Sequence, residues 1–147
     1  MVGRSWHILF GLLVVSVRVG SYDGEELVVS KDYGNLHLYG TLHQSVKKYE
    51  RFADSIENGS LLLYGTNSWR FPVQDVNLTL QYPKENESYE NRTIVTGITV
   101  ILYLDGSTSR GYITRGGMMQ NNITMTFVIS RTTRLAYQFW LYGRNSC

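Results

Sequence analysis

The chain has 147 residues, of which 43% are hydrophobic and 18% are charged, with only two prolines. This length suits one hydrophobic core, and the apolar fraction excludes a wholly disordered chain. Fourteen basic and twelve acidic residues give a formal charge of +2, and two of the basic residues, Arg4 and Arg18, lie near the N-terminus. The remainder is balanced, so we expect no direct binding to nucleic acid and no attraction to an acidic membrane surface.

Residues 1–21 have the pattern of a secretory signal peptide. Arg4 supplies the positive charge, residues 8–17 form an apolar run, and Gly20 and Ser21 offer a small-residue cleavage point. The run is about half of the ~20 residues that a membrane-spanning helix needs. A buried helix or strand of the fold, or an uncleaved anchor, is the alternative. The pattern predicts a secreted, extracellular protein with no membrane span after the signal is removed.

Sequons and cysteine usage also bear on the cellular compartment of the protein. Five asparagines match the N-glycosylation pattern: Asn58, Asn77, Asn86, Asn91 and Asn122. Asn77 and Asn122 fall on the polar side of their predicted strands, where a glycan is tolerated. The only cysteine is the last residue, Cys147, so an intrachain disulfide is impossible. Its thiol is either free or forms an intermolecular bridge in a linked dimer.

Residues 22–58 predict a polar lead-in followed by a helix. Residues 22–35 are polar and turn-rich, and residues 36–40 favour a short strand. From residue 41 to residue 57 the apolar positions recur at intervals of three and four, which is typical of one face of a helix. Those positions are Leu42, Val46, Tyr49, Phe52 and Ile56. An irregular cover over a sheet is the alternative interpretation of this stretch.

Residues 59–147 predict a β-rich domain, because the apolar period changes to two over most of this range and residues 93–104 form a β-branched run with apolar residues on both faces. Strands are predicted over 61–64, 76–82, 93–104, 111–119, 123–130 and 135–142, with a polar turn at 131–134. Asp105-Gly106 is a strong turn signal, and the pair Gly116-Gly117 predicts a bend. About six closely spaced strands predict a mainly β protein. We expect a small antiparallel sandwich or barrel-like single domain with an N-terminal helix.

A search for catalytic and metal-binding patterns yields none. His37 and His43 lack the further ligands that a metal needs, and the acidic pairs at 25–26 and 85–87 are typical of solvated charge. The sequence therefore predicts a non-enzymatic protein without a cofactor. Two aromatic residues, Trp140 and Tyr142, stand on the otherwise polar side of the last strand. They mark either a ligand pocket or a partner surface, or they are core residues of a central strand, and we favour the core.

The second half of the chain carries a recurring set of turn and aromatic motifs. These are Asp105-Gly106, Gly111-Tyr112, Gly116-Gly117, the hydroxyl-rich strand at 122–130 and Tyr142-Gly143-Arg144. Over residues 98–144 this order resembles the insect multiprotein bridging factor 2 family. A weaker match covers residues 60–64, which lack the acidic residue that the family tends to show there. The loop at 84–92 is longer than is usual in the family.

The resemblance implies two different roles. The family takes its name from a transcriptional coactivator that bridges a nuclear factor to the general machinery, whereas many members look like small secreted proteins of saliva or haemolymph. With the leader and sequons, the leading hypothesis is a secreted, glycosylated protein that binds a protein partner. An intracellular bridging coactivator is the first alternative, and a secreted carrier of a small apolar ligand is the second alternative.

Overall fold

A computed structural model describes residues 8–10, 13–16, 24–27, 29–38, 42–53, 59–84, 93–105 and 108–145. The described part is mainly β and contains no helix, which confirms the predicted fold class. Its strands are β1 (Ile8–Phe10), β2 (Leu13–Ser16), β3 (Glu25–Leu27), β4 (Val29–Leu38), β5 (Leu42–Phe52), β6 (Ser60–Tyr82), β7 (Thr93–Leu104), β8 (Thr108–Gly116) and β9 (Ile123–Asn145).

All nine strands belong to one antiparallel sheet built on the long pair β6 and β9. The strand order is β1-β2-β6-β9-β7-β5-β4, and β8 pairs with both β9 and β3. The first part of β9 lies between β6 and β8, and its second part lies between β6 and β7. Two half-sheets therefore share the same two strands, and the sheet curls into a half-barrel.

The core lies inside this curl. The alternating residues of β9 predicted to face inward are all buried, and so are those of β6 between residues 76 and 80. Tyr49 of β5 joins the two half-sheets, because its hydroxyl lies 2.6 Å from Ser109 Oγ of β8 in a buried hydrogen bond. Its ring also packs edge-on against Phe127, with centroids 5.1 Å apart. Apolar burial and one buried polar contact hold the curl together.

The predicted helix over 41–57 is wrong for the described residues, since 42–52 form β5. This strand pairs with β4 on one side and β7 on the other. Tyr49 faces the core while Val46 lies on the opposite face beside Tyr103, and both are buried. Apolar residues on both faces of one strand produce intervals of three, which imitate a helical face.

The residues before β5 also differ from expectation. Within the polar lead-in, β3 pairs with β8 and β4 pairs with β5, so strands replace the predicted loose segment. Within the predicted signal peptide, β1 pairs with β2, and β2 pairs with residues 77–80 of β6. That placement corresponds to the alternative in which the apolar run is a strand of the fold. Cleavage at residue 21 stays a prediction.

The sheet bends where β9 passes from one half-sheet to the other. The predicted turn at 131–134 is instead a kink inside a continuous strand, with Arg131 at a φ of 48°. The β6–β9 register shifts on the opposite side of the kink, between Arg70 and Val76. A kink of this kind leaves backbone amides without ladder partners, and these amides need other acceptors.

Two carboxylates supply those acceptors. Asp75 accepts a hydrogen bond from the Arg131 amide at 2.8 Å. Asp105, at the end of β7, accepts from the amides of Thr133 at 2.9 Å and Arg134 at 3.0 Å. The hydroxyls of Thr132 and Thr133 donate to the same carboxylate. Partial burial raises the pKa of Asp105, but these four donors outweigh it and lower the pKa to about 2.

We expect the Asp105→Asn variant to be less stable than the wild type at neutral pH. A carboxylate whose folded pKa is lowered from 3.8 to about 2 stabilises the fold above the unfolded pKa, and this contribution is lost as the pH falls through the folded value. Because Asp105 is exposed, solvent screening reduces the difference to about 1 kcal/mol. Urea unfolding at pH 7, 4 and 2.5 should show the gap closing on acidification. A constant gap would contradict the assignment, and Glu26→Gln, which removes an exposed carboxylate of β3, is the control.

Gly111 is predicted to be intolerant of a side chain. A Cβ there would lie 2.7 Å from Phe127 Cε1 and 3.4 Å from Tyr49 Cε1, and both rings are fully buried. We expect Gly111→Ala to cost about 1–3 kcal/mol through overpacking. Gly65→Ala is the matched control, because its Cβ would meet only the Tyr137 side chain, at 3.7 Å from the hydroxyl oxygen and 3.8 Å from Cε2. Equal unfolding free energies for the two variants would contradict this explanation.

Candidate interaction surface on the outer face of the sheet

The outer face is defined by the residues of β9 that alternate with the core. Leu135, Phe139 and Leu141 point inward, so the intervening Ala136, Gln138, Trp140 and Tyr142 point outward. The register places Tyr64 of β6 opposite Trp140, and Leu61 opposite Tyr142. On the other side, Gly97 of β7 lies opposite Tyr142, and Phe52 of β5 lies opposite Gly97. Aromatic and apolar side chains from three strands therefore meet on one surface.

We call this surface the outer aromatic patch, which consists of Phe52, Leu61, Tyr64, Trp140 and Tyr142. Ring centroids lie 5.4 Å apart for Tyr64 and Trp140, and 6.0 Å apart for Phe52 and Tyr142. Leu61 is 54% exposed and Tyr64 is 46% exposed, whereas the other three are half-buried. A contiguous apolar patch that remains open to solvent is typical of an interaction site.

Two glycines shape the patch. A Cβ at Gly97 would overlap the Phe52 ring, so the absence of a side chain there lets that ring lie across β7 toward Tyr142. A Cβ at Gly143 would overlap Leu62 and the Ile94 carbonyl oxygen. Gly143 thus lets β9 pack closely between its neighbours, and this explains the glycine of the Tyr142-Gly143-Arg144 motif. The motif has its aromatic and cationic members on the outer face and its glycine in the packed layer.

Charged groups surround the patch. Arg144 is exposed next to Tyr142 on the same face, and Lys48 forms an ion pair with Glu50 on the outer face of β5. At the far end of the face, Arg70 of β6 lies opposite Arg134 of β9. The outer face therefore has an apolar middle, the Lys48–Glu50 ion pair beside it and arginines at its two ends.

The sequence-based preference for Trp140 and Tyr142 as core residues is wrong. Both lie outside the buried core cluster and belong to the outer face. The partner-surface alternative fits their placement. The contributions of Phe52, Leu61 and Tyr64 could not be recognised from the sequence, since only the strand register brings them beside Trp140 and Tyr142. The single sequence signal was the pair of aromatics at polar positions of the last strand.

The other motif residues serve the fold. Gly116 and Gly117 have φ values of 64° and 144°, which confirms the predicted bend. Their loop is held on β7, because the Met119 amide donates to the Val95 carbonyl oxygen at 2.7 Å. Tyr112 of β8 accepts a hydrogen bond from Arg110 and thereby raises the pKa of that guanidinium. Gly106 lies outside the described residues.

The sequon asparagines are placed differently from one another. Asn77 is only 2% exposed, so its expected position on an exposed face is wrong; both faces of β6 are covered around residues 76–78. Asn122 is half-buried, and its side-chain amide donates to Asn121 Oδ1 at 2.8 Å. Asn58, Asn86, Asn91 and Cys147 lie outside the described residues. Glycosylation and a Cys147-linked dimer stay predictions.

Neither a metal centre nor a membrane helix is found in the part of the chain that the structure describes. No group of three or more His, Cys, Asp or Glu side chains is placed to hold a metal ion there. No helix in that part is long and apolar enough to cross a bilayer. The backbones of His37 and His43 are paired across β4 and β5.

Comparison with known proteins gives one family. No curated protein and no solved structure matches the chain at a significant level. A family model described as transcription activator MBF2 matches residues 55–143. This finding contradicts the prediction of a secreted, extracellular protein, because a transcription activator points to an intracellular or nuclear location. It confirms the resemblance drawn from the turn and aromatic motifs. Since the match spans more than half of the 147 residues, the chain belongs to the transcription activator MBF2 family.

Proposed function

We propose that this protein acts in transcription activation by binding a protein partner through the outer aromatic patch. The family description supports the activator role. The observation that carries the binding surface is the group of aromatic side chains left on the outer face, beside the exposed Leu61. A formal charge of only +2 gives the chain little general attraction for nucleic acid, which is consistent with an activator that acts through other proteins.

The composition of the patch suits protein recognition. Tyrosine and tryptophan dominate the binding energy of protein interfaces, because they bury a large area with little loss of side-chain freedom. Trp140 and Tyr142 are each held by a neighbouring ring, so their orientation is established before a partner binds. The arginines at the two ends of the outer face favour a partner whose contact segment is apolar and acidic. The function proposed is therefore bridging by a preformed surface.

The small-molecule carrier has less in its favour. That hypothesis rested on aromatic content and required a closed apolar cavity between the sheets. The aromatics that prompted it lie on the outer face, and the interior of the curl is occupied by fully buried side chains such as Tyr49, Phe127 and Phe139. The observations thus favour a partner surface over an internal ligand site.

We expect the Leu61→Ser/Tyr64→Ser double variant to lose most of its activating capacity. Both side chains are exposed, so their removal should leave the core intact while removing the two most exposed side chains of the patch. With the full chain fused to a heterologous DNA-binding domain, reporter transcription should fall roughly tenfold, as for the loss of an interface hot spot.

The matched control is Met119→Ser. Met119 is an exposed apolar residue at 48%, but it lies on the loop after β8 and outside the patch. Its variant should activate like the wild type, and circular dichroism should show that all three proteins are folded. If the fusion that carries the wild-type chain does not raise reporter transcription, the activator role is refuted. Equal activation by patch variant and control would refute the patch as its surface.

A further inference from the structure

Among the described strands, none pairs with one edge of β6 along much of its length. Residues 60–70 of β6 pair with β9 on one side, and β2 reaches the other side only at residues 77–80. No other described strand lies along that free edge. Within this stretch of about ten residues the Ser68 amide donates to Asn67 Oδ1 at 2.8 Å, a contact that an added strand would replace. A strand edge of this length is a template for another strand.

The central part of this edge lacks the usual protection, which is confined to its two ends: a register shift between Leu61 and Leu63 at one end, and Arg70 and Pro72 at the other. Natural edge strands are guarded by charged residues, prolines or bulges, which discourage pairing with another chain. Between Leu63 and Trp69 the edge contains no charged residue and no proline. Its sequence is Leu-Tyr-Gly-Thr-Asn-Ser-Trp. The only charged residue of β6 before Asp75 is Arg70. The edge is therefore open to strand addition.

We propose that a second copy of this chain pairs with this edge, antiparallel and centred on Asn67. In that register each residue i faces residue 134 − i of the partner, so outer residues meet outer residues and inner residues meet inner residues. Thr66 faces Ser68, Gly65 faces Trp69, Tyr64 faces Arg70, and Leu63 faces Phe71. The contact is a two-fold symmetric dimer with one continuous sheet.

The residue pairs of this register are complementary. Arg70 meets the ring of Tyr64, which gives a cation–aromatic pair twice in the dimer. Trp69 covers the gap left by Gly65, an arrangement in which an aromatic shields a strand glycine. Leu63 and Phe71 are half-buried and packed against the core, so pairing extends the apolar layer across the junction.

Charge repulsion disfavours an alternative register of the dimer. Pairing centred on Arg70 would place the two Arg70 side chains opposite each other and would repel. The Asn67 register keeps them apart and gives each an aromatic partner. Because the two-fold axis runs perpendicular to the sheet, both outer aromatic patches lie on the same side of the dimer. The assembly thus presents two patches to one partner or to two.

A charge-pairing experiment tests both the dimer and its register. Thr66 and Ser68 are exposed and face each other across the junction. We expect Thr66→Lys/Ser68→Lys to be monomeric, because lysine then faces lysine in both pairs. Thr66→Lys/Ser68→Glu alters the same positions but places lysine opposite glutamate, so it should remain dimeric. Sedimentation equilibrium from micromolar to submillimolar concentration should give a wild-type mass of twice 16.9 kDa.

A dimer linked by a disulfide must be excluded, and three results would overturn the proposed dimer or its register. All measurements use full-length chain carrying Cys147→Ser in reducing buffer, so that a disulfide cannot produce the dimer. Wild-type monomer throughout this range would overturn the proposal and leave the edge to a strand of another protein. A dimer of the Lys/Lys variant as tight as that of the wild type would also overturn it. An equimolar mixture of the Lys/Lys variant with Thr66→Glu/Ser68→Glu should form a heterodimer, and its failure to do so would refute the register.

Discussion

The architecture depends on how β9 changes partners without breaking. A 23-residue strand can serve two half-sheets only if it bends, and a bend interrupts the hydrogen-bond ladder. Asp105 and Asp75 restore the missing acceptors from outside the strand, one from the end of β7 and one from within β6. The two carboxylates thus stabilise the strand at the point where the sheet bends. The curl then determines that Tyr49 can reach Ser109 and that a closed core forms.

The same bend separates the surfaces of the molecule. On the concave side, β9 contributes an uninterrupted row of buried residues before and after the kink. On the convex side, the second half of β9 carries Trp140 and Tyr142, and its long partner β6 carries Leu61 and Tyr64. One pair of strands therefore supplies both the core and the outer aromatic patch. Burial on one face leaves the other face free for recognition.

Local pattern predicted the strands whose two faces differ and also the long β-branched run of β7, but it failed in β5, whose two faces are both partly covered. The alternation through Ile123, Met125 and Phe127 predicts a strand correctly, because one side is apolar and the other is polar. In β5 the apolar Val46 and Tyr49 face opposite ways, so the period of two disappears and a helix is predicted instead. Asn77 illustrates the same limit, since its polar side chain is buried although it alternates with the core residues Val76 and Leu78. The patch itself is a product of strand register, which a single sequence does not encode locally.

The free edge of β6 and the outer aromatic patch are linked by geometry. Tyr64 belongs to the patch and also to the edge strand, where it pairs with Trp140 on the β9 side. A strand added at the free edge would extend the outer face from that point, because its outward residues would continue the same plane. Tyr64 would then be flanked on both sides, with Trp140 on one and a cationic side chain on the other. Self-association would therefore place a partner side chain against Tyr64 and leave Trp140 and Tyr142, which lie on β9, away from the junction.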